Sequence, residues 1–243
     1  MPPKPMYVLP FPAEIRQMIY EELLVHRGRG IEIVTEKRWA HRPPVPVGYS
    51  AGRVGAALLG LAPSILRASK QTHAEASFVL YARNRFDLRS NAARLGMLEM
   101  YYHSYYTASR VLDSSEELVA AFARGIGPRH AGLVRHISIT FPSISCFDLS
   151  GLLRRDDDMK KGSTMLDLIG PAYPSLENIE LCLFDHLYHD HDKSEVKDDL
   201  AFIDAKLRAM PSLKSIVLPY TGYQVDTVLY KQMMDQEWKA TSS

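Results

Sequence analysis

Cysteine is nearly absent from this sequence: Cys146 and Cys182 are the only two in 243 residues. Two thiols in unrelated segments cannot build a disulfide framework or the paired spacings of a zinc ribbon. Buried free thiols in a reducing compartment are the expectation. An excess of charge of one sign is also lacking. With 29 basic and 28 acidic residues the net charge is +1, so nothing global favours a nucleic acid or a membrane surface as partner. Long apolar runs are missing as well. None approaches the roughly 20 residues that a membrane span needs, and MPPKPMYVLPFP is too proline-rich to read as a secretory signal. A cytoplasmic or nuclear location follows. There is no GxxxxGK[ST] phosphate loop and no GxSxG elbow. GRG at 28–30 and GIG at 125–127 lack the rest of a dinucleotide fingerprint. No cofactor and no catalytic residue is expected.

What is present is a chain that is 46% hydrophobic, enough for a substantial core. The stretch VLPFPAEIRQMIYEELLVH (8–26) predicts a first helix with Pro12 at its first position, where a missing N–H costs nothing. Phe11 is a poor cap, so packing must fix this end. On a helical wheel Ile15, Met18, Ile19 and Leu23 share one face, while Tyr20 and Leu24 lie well round from it. Residues 26–60 change character. GIEIVTEKRW reads as a strand pair or one edge strand, and the Pro/Gly/Ala-rich run after it as a long loop. Helicity resumes over 63–86, with Ser64 as cap. Ile65, Ala68, Ser69, Thr72, His73, Ala76, Val79 and Leu80 form a small-residue face; Arg67, Lys70, Gln71 and Glu75 point outward. Arg85–Leu88 alternates like a short strand. Residues 91–106 predict a further helix. Ser114 and Glu117 have capping-box spacing for the helix after it, which Gly125 or Gly127 ends.

A weak repeat follows. VRHISI (134–139), LENIEL (176–181) and LKSIVL (213–218) superpose with apolar residues at the first, fourth and sixth positions, at offsets of 42 and 37 residues. Each strand-like unit follows a helix-like one, at 115–124, about 163–170 and about 195–209. That order predicts parallel strands joined by right-handed crossovers, a short solenoid-like layer. VDTVLYKQMMDQEW near the C-terminus predicts a capping helix with Asp226 as its N-cap.

The densest chemical cluster is DHLYHDHD, with Asp185, His186, His189, Asp190, His191 and Asp192. His and Asp are sound zinc or nickel ligands. The cluster sits where a polar loop belongs, and no helix-borne HExxH spacing supports it, so no metal ligand is assigned. Cys146 has no activating neighbour. His73 reads as a hydrogen-bonded, half-buried side chain, and His136, inside VRHISI, as lying on the open face of its strand. The YYHSYY cluster (101–106) lacks the interleaved cations that stacking on single strands wants, and RRDDDMKK (154–161) reads as a solvated loop.

Two stretches carry a family resemblance. LPFPAEIRQMIYEELL (9–24) resembles the opening of an F-box. ILRASKQTHAEASFVLYARNRF (65–86) is similar to the later helix of fungal F-box-like proteins, in which LPxEIRxxIY is followed by LRxSKQxxxEAxxxLYxxNxF. IGPRHAGLVRHISI (126–139) looks like that group's next segment. The resemblance implies an α+β or α/β fold: an F-box-like helical region (1–89, with the insert at 26–60), then a leucine-rich-repeat-like layer (90–243) of about three parallel strands. It also implies docking on the Skp-type adaptor of a cullin–RING ubiquitin ligase through Leu9, Pro10, Pro12, Ile15, Ile19, Tyr20 and Leu24, with the rest of the chain presenting an unknown protein substrate. The alternative is a stand-alone structural or interaction domain whose F-box part is only scaffold. A third reading is a metal-dependent hydrolase built on 185–192.

Overall fold

The computed structural model describes residues 11–27, 30–33, 61–89, 115–141, 155–182, 193–220 and 238–242. The expected helices at 91–106 and 225–238, Cys146 and the His/Asp cluster 185–192 lie outside them, apart from Trp238.

The elements in chain order are α1 (Ala13–Leu24), β1 (Ile31–Glu32), a 3-10 turn (Pro63–Arg67), α2 (Lys70–Arg83), β2 (Arg85–Asp87), α3 (Ser115–Ala131), β3 (His136–Thr140), α4 (Arg155–Ala172), β4 (Asn178–Cys182), α5 (Lys193–Arg208), β5 (Ser215–Tyr220) and β6 (Lys239–Ser242). The strands form one six-stranded parallel sheet in simple sequential order. The expectation of about three strands is therefore too low. The central four, β2 to β5, are flanked by β1, within the stretch expected to hold an edge strand, and by β6, which has no apolar alternation to announce it. Because β1 and β2 pair into the same sheet as β3, the expected division at residue 89 does not fall at a break in the sheet.

Sequential order with crossovers of one hand puts every connecting helix on the same face. The helices accordingly pack in chain order, α2 on α3, α3 on α4 and α4 on α5. The result is two layers, helices over strands. Ile137, Ile139, Ile179, Leu181 and Ile216 are buried in one cluster with Leu118, Met165, Ile169, Ile203 and Leu207 from the helices. Strand alternation sends their neighbours His136, Ser138, Thr140, Asn178 and Glu180 to the opposite face.

The sequence repeat is the ladder register itself. His136 pairs with Asn178, and Asn178 with Ser215, which are the offsets of 42 and 37 read from the three hexapeptides. The turn into each strand repeats too. The N–H groups of Val134, Leu176 and Leu213 donate to the carbonyls of Ala131, Tyr173 and Met210, so each leading apolar residue is pinned to the end of the preceding helix.

Some helix boundaries differ from expectation. Pro12 is the residue before α1, not its first residue. The 63–86 helix is divided: the 3-10 turn ends at Arg67, and Ser69 caps α2 by accepting from the Thr72 N–H at 3.0 Å. α3 is broken at Gly127, whose φ of 76° is a left-handed conformation that glycine tolerates best. Pro128 then restarts the helix. Residues 155–161, read as loop, form the first turns of α4. Gly162 on α4 lies so close to the Phe141 ring that any side chain would strike it.

Candidate functional site

The α1–α2 pair has its own small core. Tyr20, Leu24, Ala76 and Val79 are buried together, with Leu23, Ile65 and Leu80 packed round them. The Tyr20–Leu24 side of α1 is thus the one turned into this core. Tyr20 is 1% exposed and Leu24 fully buried, while Met18 is 65% exposed, and Phe11 and Ile15 are exposed with it.

A polar bolt sets that orientation. Arg16 makes a two-pronged ion pair to Glu75, Nε to Oε2 at 2.9 Å and Nη2 to Oε1 at 2.7 Å. Its remaining nitrogen donates to the Phe11 carbonyl at 2.6 Å, which ties the segment before the helix to α1. Tyr20 Oη donates to Glu75 Oε2 at 3.1 Å, and Gln71 Nε2 donates to Oε1 at 2.8 Å. Four donors on one carboxylate, the Arg16 guanidinium foremost, hold the Glu75 pKa down at about 2. Glu75 was expected to face solvent; it is instead the hub of the interface. Burial raises the Tyr20 pKa, so the phenol stays a donor. The pair is latched at its far end by Asn84, which is buried. Its amide donates to the Leu24 carbonyl at 2.7 Å and the Leu80 carbonyl at 2.8 Å, and its oxygen accepts the His26 N–H at 2.7 Å.

Of the seven expected docking residues, Leu9 and Pro10 lie outside the described residues. Pro12 and Ile15 are exposed, and Ile19 is half-buried. Tyr20 and Leu24 are corrected: both are consumed by packing on α2 and offer nothing to a partner. Phe11 and Met18 take their place. Ile15 and Met18, three residues apart, lie on one side of α1, and Phe11 is exposed in the segment just before the helix. That spacing was visible in the sequence, but so was the competing stripe Arg16, Tyr20, Leu24.

The second feature is the sheet face away from the helices. Ser138 Oγ donates to Glu180 at 3.1 Å, and Glu180 also pairs with Arg85. Asp87 holds Arg89 through Nε at 2.9 Å and Nη2 at 2.8 Å. Asn178 Nδ2 lies 3.0 Å from His136 Nδ1. The His136 ring lies against the Asn178 amide, and burial lowers its pKa. Burial pushes the Cys182 thiol up, away from thiolate reactivity. Among the described residues no group of three or more His, Cys, Asp or Glu could hold a metal ion. Among the same residues no helix is long and apolar enough to cross a membrane.

These features define a two-layer parallel α/β protein with a bolted helix pair at its N-terminal end and an apolar stripe left uncovered on that pair. Compared with protein-family models, curated proteins and solved structures, the chain matches none.

Proposed function

We propose that this chain is a non-enzymatic protein–protein interaction module, an F-box-type substrate adaptor whose α1 docks on a Skp-type partner of a cullin–RING ubiquitin ligase. The strand–helix layer would present a protein substrate. The observation that carries the reading is that Ile15 and Met18 are exposed on a helix whose Tyr20–Leu24 side is already buried, with Phe11 exposed just before it. Single exposed apolar residues need no explanation, but aligned ones mark contact surfaces. Co-expression with a Skp-type adaptor should yield a complex that survives size-exclusion chromatography, and Ile15→Asp with Met18→Asp should release the adaptor from a protein that remains folded. Folded wild-type protein that elutes alone would overturn the reading.

A second reading has its own support. Arg16, Tyr20, Glu75 and Asn84, which fall at fixed places in the motif that resembles an F-box, all serve the α1–α2 contact. On that reading the helix pair is scaffold for a stand-alone interaction domain. The same double variant separates the two, since a scaffold would lose no partner.

A further inference from the structure

Where α2 meets α3, two histidines face each other. His73 of α2 and His130 of α3 have ring centroids 5.6 Å apart and planes inclined at 64°. Each ring is held through the same nitrogen. His73 Nδ1 lies 3.1 Å from the Leu66 carbonyl oxygen, and His130 Nδ1 lies 2.9 Å from that of Ile126. A carbonyl only accepts, so each Nδ1 carries the proton and each neutral ring keeps its lone pair at Nε2. Neither Nε2 has a hydrogen-bond partner among the described residues. Tyr81, farther along α2, stacks on the His130 ring at 4.9 Å and 21°, which orients that ring further. Ser77 falls midway between His73 and Tyr81 on the same stripe of α2. Its Oγ is buried and has no hydrogen-bond partner. His73, expected to be half-buried, is exposed, and His130 is half-buried, so the pair can be reached from solvent.

We propose that His73 and His130 together bind a zinc-class transition-metal ion through their Nε2 atoms and so join α2 to α3. The tautomer is the one a metal requires: a neutral ring whose other nitrogen is held by a backbone carbonyl. The spacing agrees with it. Two imidazoles on one zinc, each nitrogen about 2.0–2.1 Å from the ion, have centroids about 5–6 Å apart. Imidazole ligands suit zinc, nickel or copper, whereas calcium and magnesium want oxygen. Water fills the remaining positions, and Ser77 Oγ offers such a water an unused hydrogen-bonding atom. An ordinary ring contact would account for the distance, but it gives no use to the two lone pairs or to the unpartnered hydroxyl. The ion would sit at a joint of the molecule. Tyr81 packs against the large core of the layer, while Ala76 and Val79 of the same helix belong to the small core of the α1–α2 pair.

The site uses no residue of α1, so it can fail while adaptor docking holds, and the reverse. The test silences the other histidine cluster first. Zinc chloride is titrated calorimetrically into the full chain carrying His186→Ala, His189→Ala and His191→Ala. One equivalent should bind. His73→Asn and His130→Asn each keep an amide N–H for the Leu66 or Ile126 carbonyl but lack Nε2. Each should lose about tenfold or more in zinc affinity, since even the partners behind a metal ligand are worth that much. Zinc should also raise the melting temperature of the parent chain, because it binds the folded state, and should shift both Asn variants less. Should His130→Asn disturb folding, His73→Ala at its exposed position gives the same comparison. No zinc binding, an affinity that the His73 variants leave unchanged, or a melting temperature indifferent to zinc would each overturn the proposal.

Discussion

The helix pair and the sheet layer are held by different physics. In the layer, interdigitated aliphatic side chains from β3 to β5 and α3 to α5 form one continuous core, and on the far sheet face Ser138, Glu180 and Arg85 pair with one another, as do Asp87 and Arg89. In the α1–α2 pair the apolar core is four buried residues, too little to fix two helices unaided, and polar groups complete the contact. Arg16 and Glu75 set the rotation of α1, and Asn84 sets its end. A small interface specified by polar groups can leave an apolar stripe outside, because rotation was not decided by greasiness alone. A large apolar core has no such freedom.

That contrast can be broken first on the layer side. Trp238, just before β6, is almost fully buried in the large core, and its Nε1 donates to Asp204 Oδ1 at 2.6 Å. Trp238→Ala should cost about 3–5 kcal/mol, seen as a lower urea midpoint of the whole protein. A shift confined to the α1–α2 pair would contradict the division into two cores.

Asn84→Ala is the next largest. It leaves the His26 N–H and the Leu24 and Leu80 carbonyls without their side-chain partner, and unmade buried hydrogen bonds cost about 1–3 kcal/mol in sum or more. The loss should be local. Amide exchange should accelerate in 13–26 while β3 and β4 keep their protection.

The bolt itself should answer to pH. The Glu75 pKa falls from its ordinary 4.5 to about 2 on folding. Its contribution is therefore complete above pH 4.5 and is lost as pH falls from there toward 2. Glu75→Gln should melt below wild type at pH 7, by the equivalent of about 1 kcal/mol given the partial exposure of the pair. The gap should close between pH 4.5 and 2. A gap that stays constant into acid would mean that the carboxylate charge does not hold α1.

How much of this the sequence disclosed follows the same line. The parallel layer was legible because its information is periodic: three hexapeptides at offsets of 42 and 37 residues are the register of β3, β4 and β5. Gly127 marked the end of a helix, and Arg85–Asp87 alternated like the strand it is. β1 falls in the stretch read as a strand pair or one edge strand, whereas β6 was not legible, since Lys-Ala-Thr-Ser has no apolar pattern. The orientation of α1 was misread for a definite reason. Both of its sides are apolar, and a wheel built on hydrophobicity cannot weigh an ion pair between residues 59 positions apart. Arg16 and Glu75 were visible in the motif that resembles an F-box, but their contact is tertiary.

The smallest effect on stability is the most informative for function. Met18 is the most exposed of the apolar residues on α1, and replacing it with Asp removes no buried contact. Such surface changes usually stay within about 0.5 kcal/mol, so Met18→Asp should melt with wild type. Tyr20→Phe keeps the ring in the small core but deletes the hydroxyl bonded to Glu75, so it should lower the melting temperature slightly. The docking proposal requires the opposite order in adaptor capture: Met18→Asp defective, Tyr20→Phe near wild type. If capture instead follows stability, with Tyr20→Phe the weaker of the two, the stripe is not the contact, and the helix pair serves only to hold itself together.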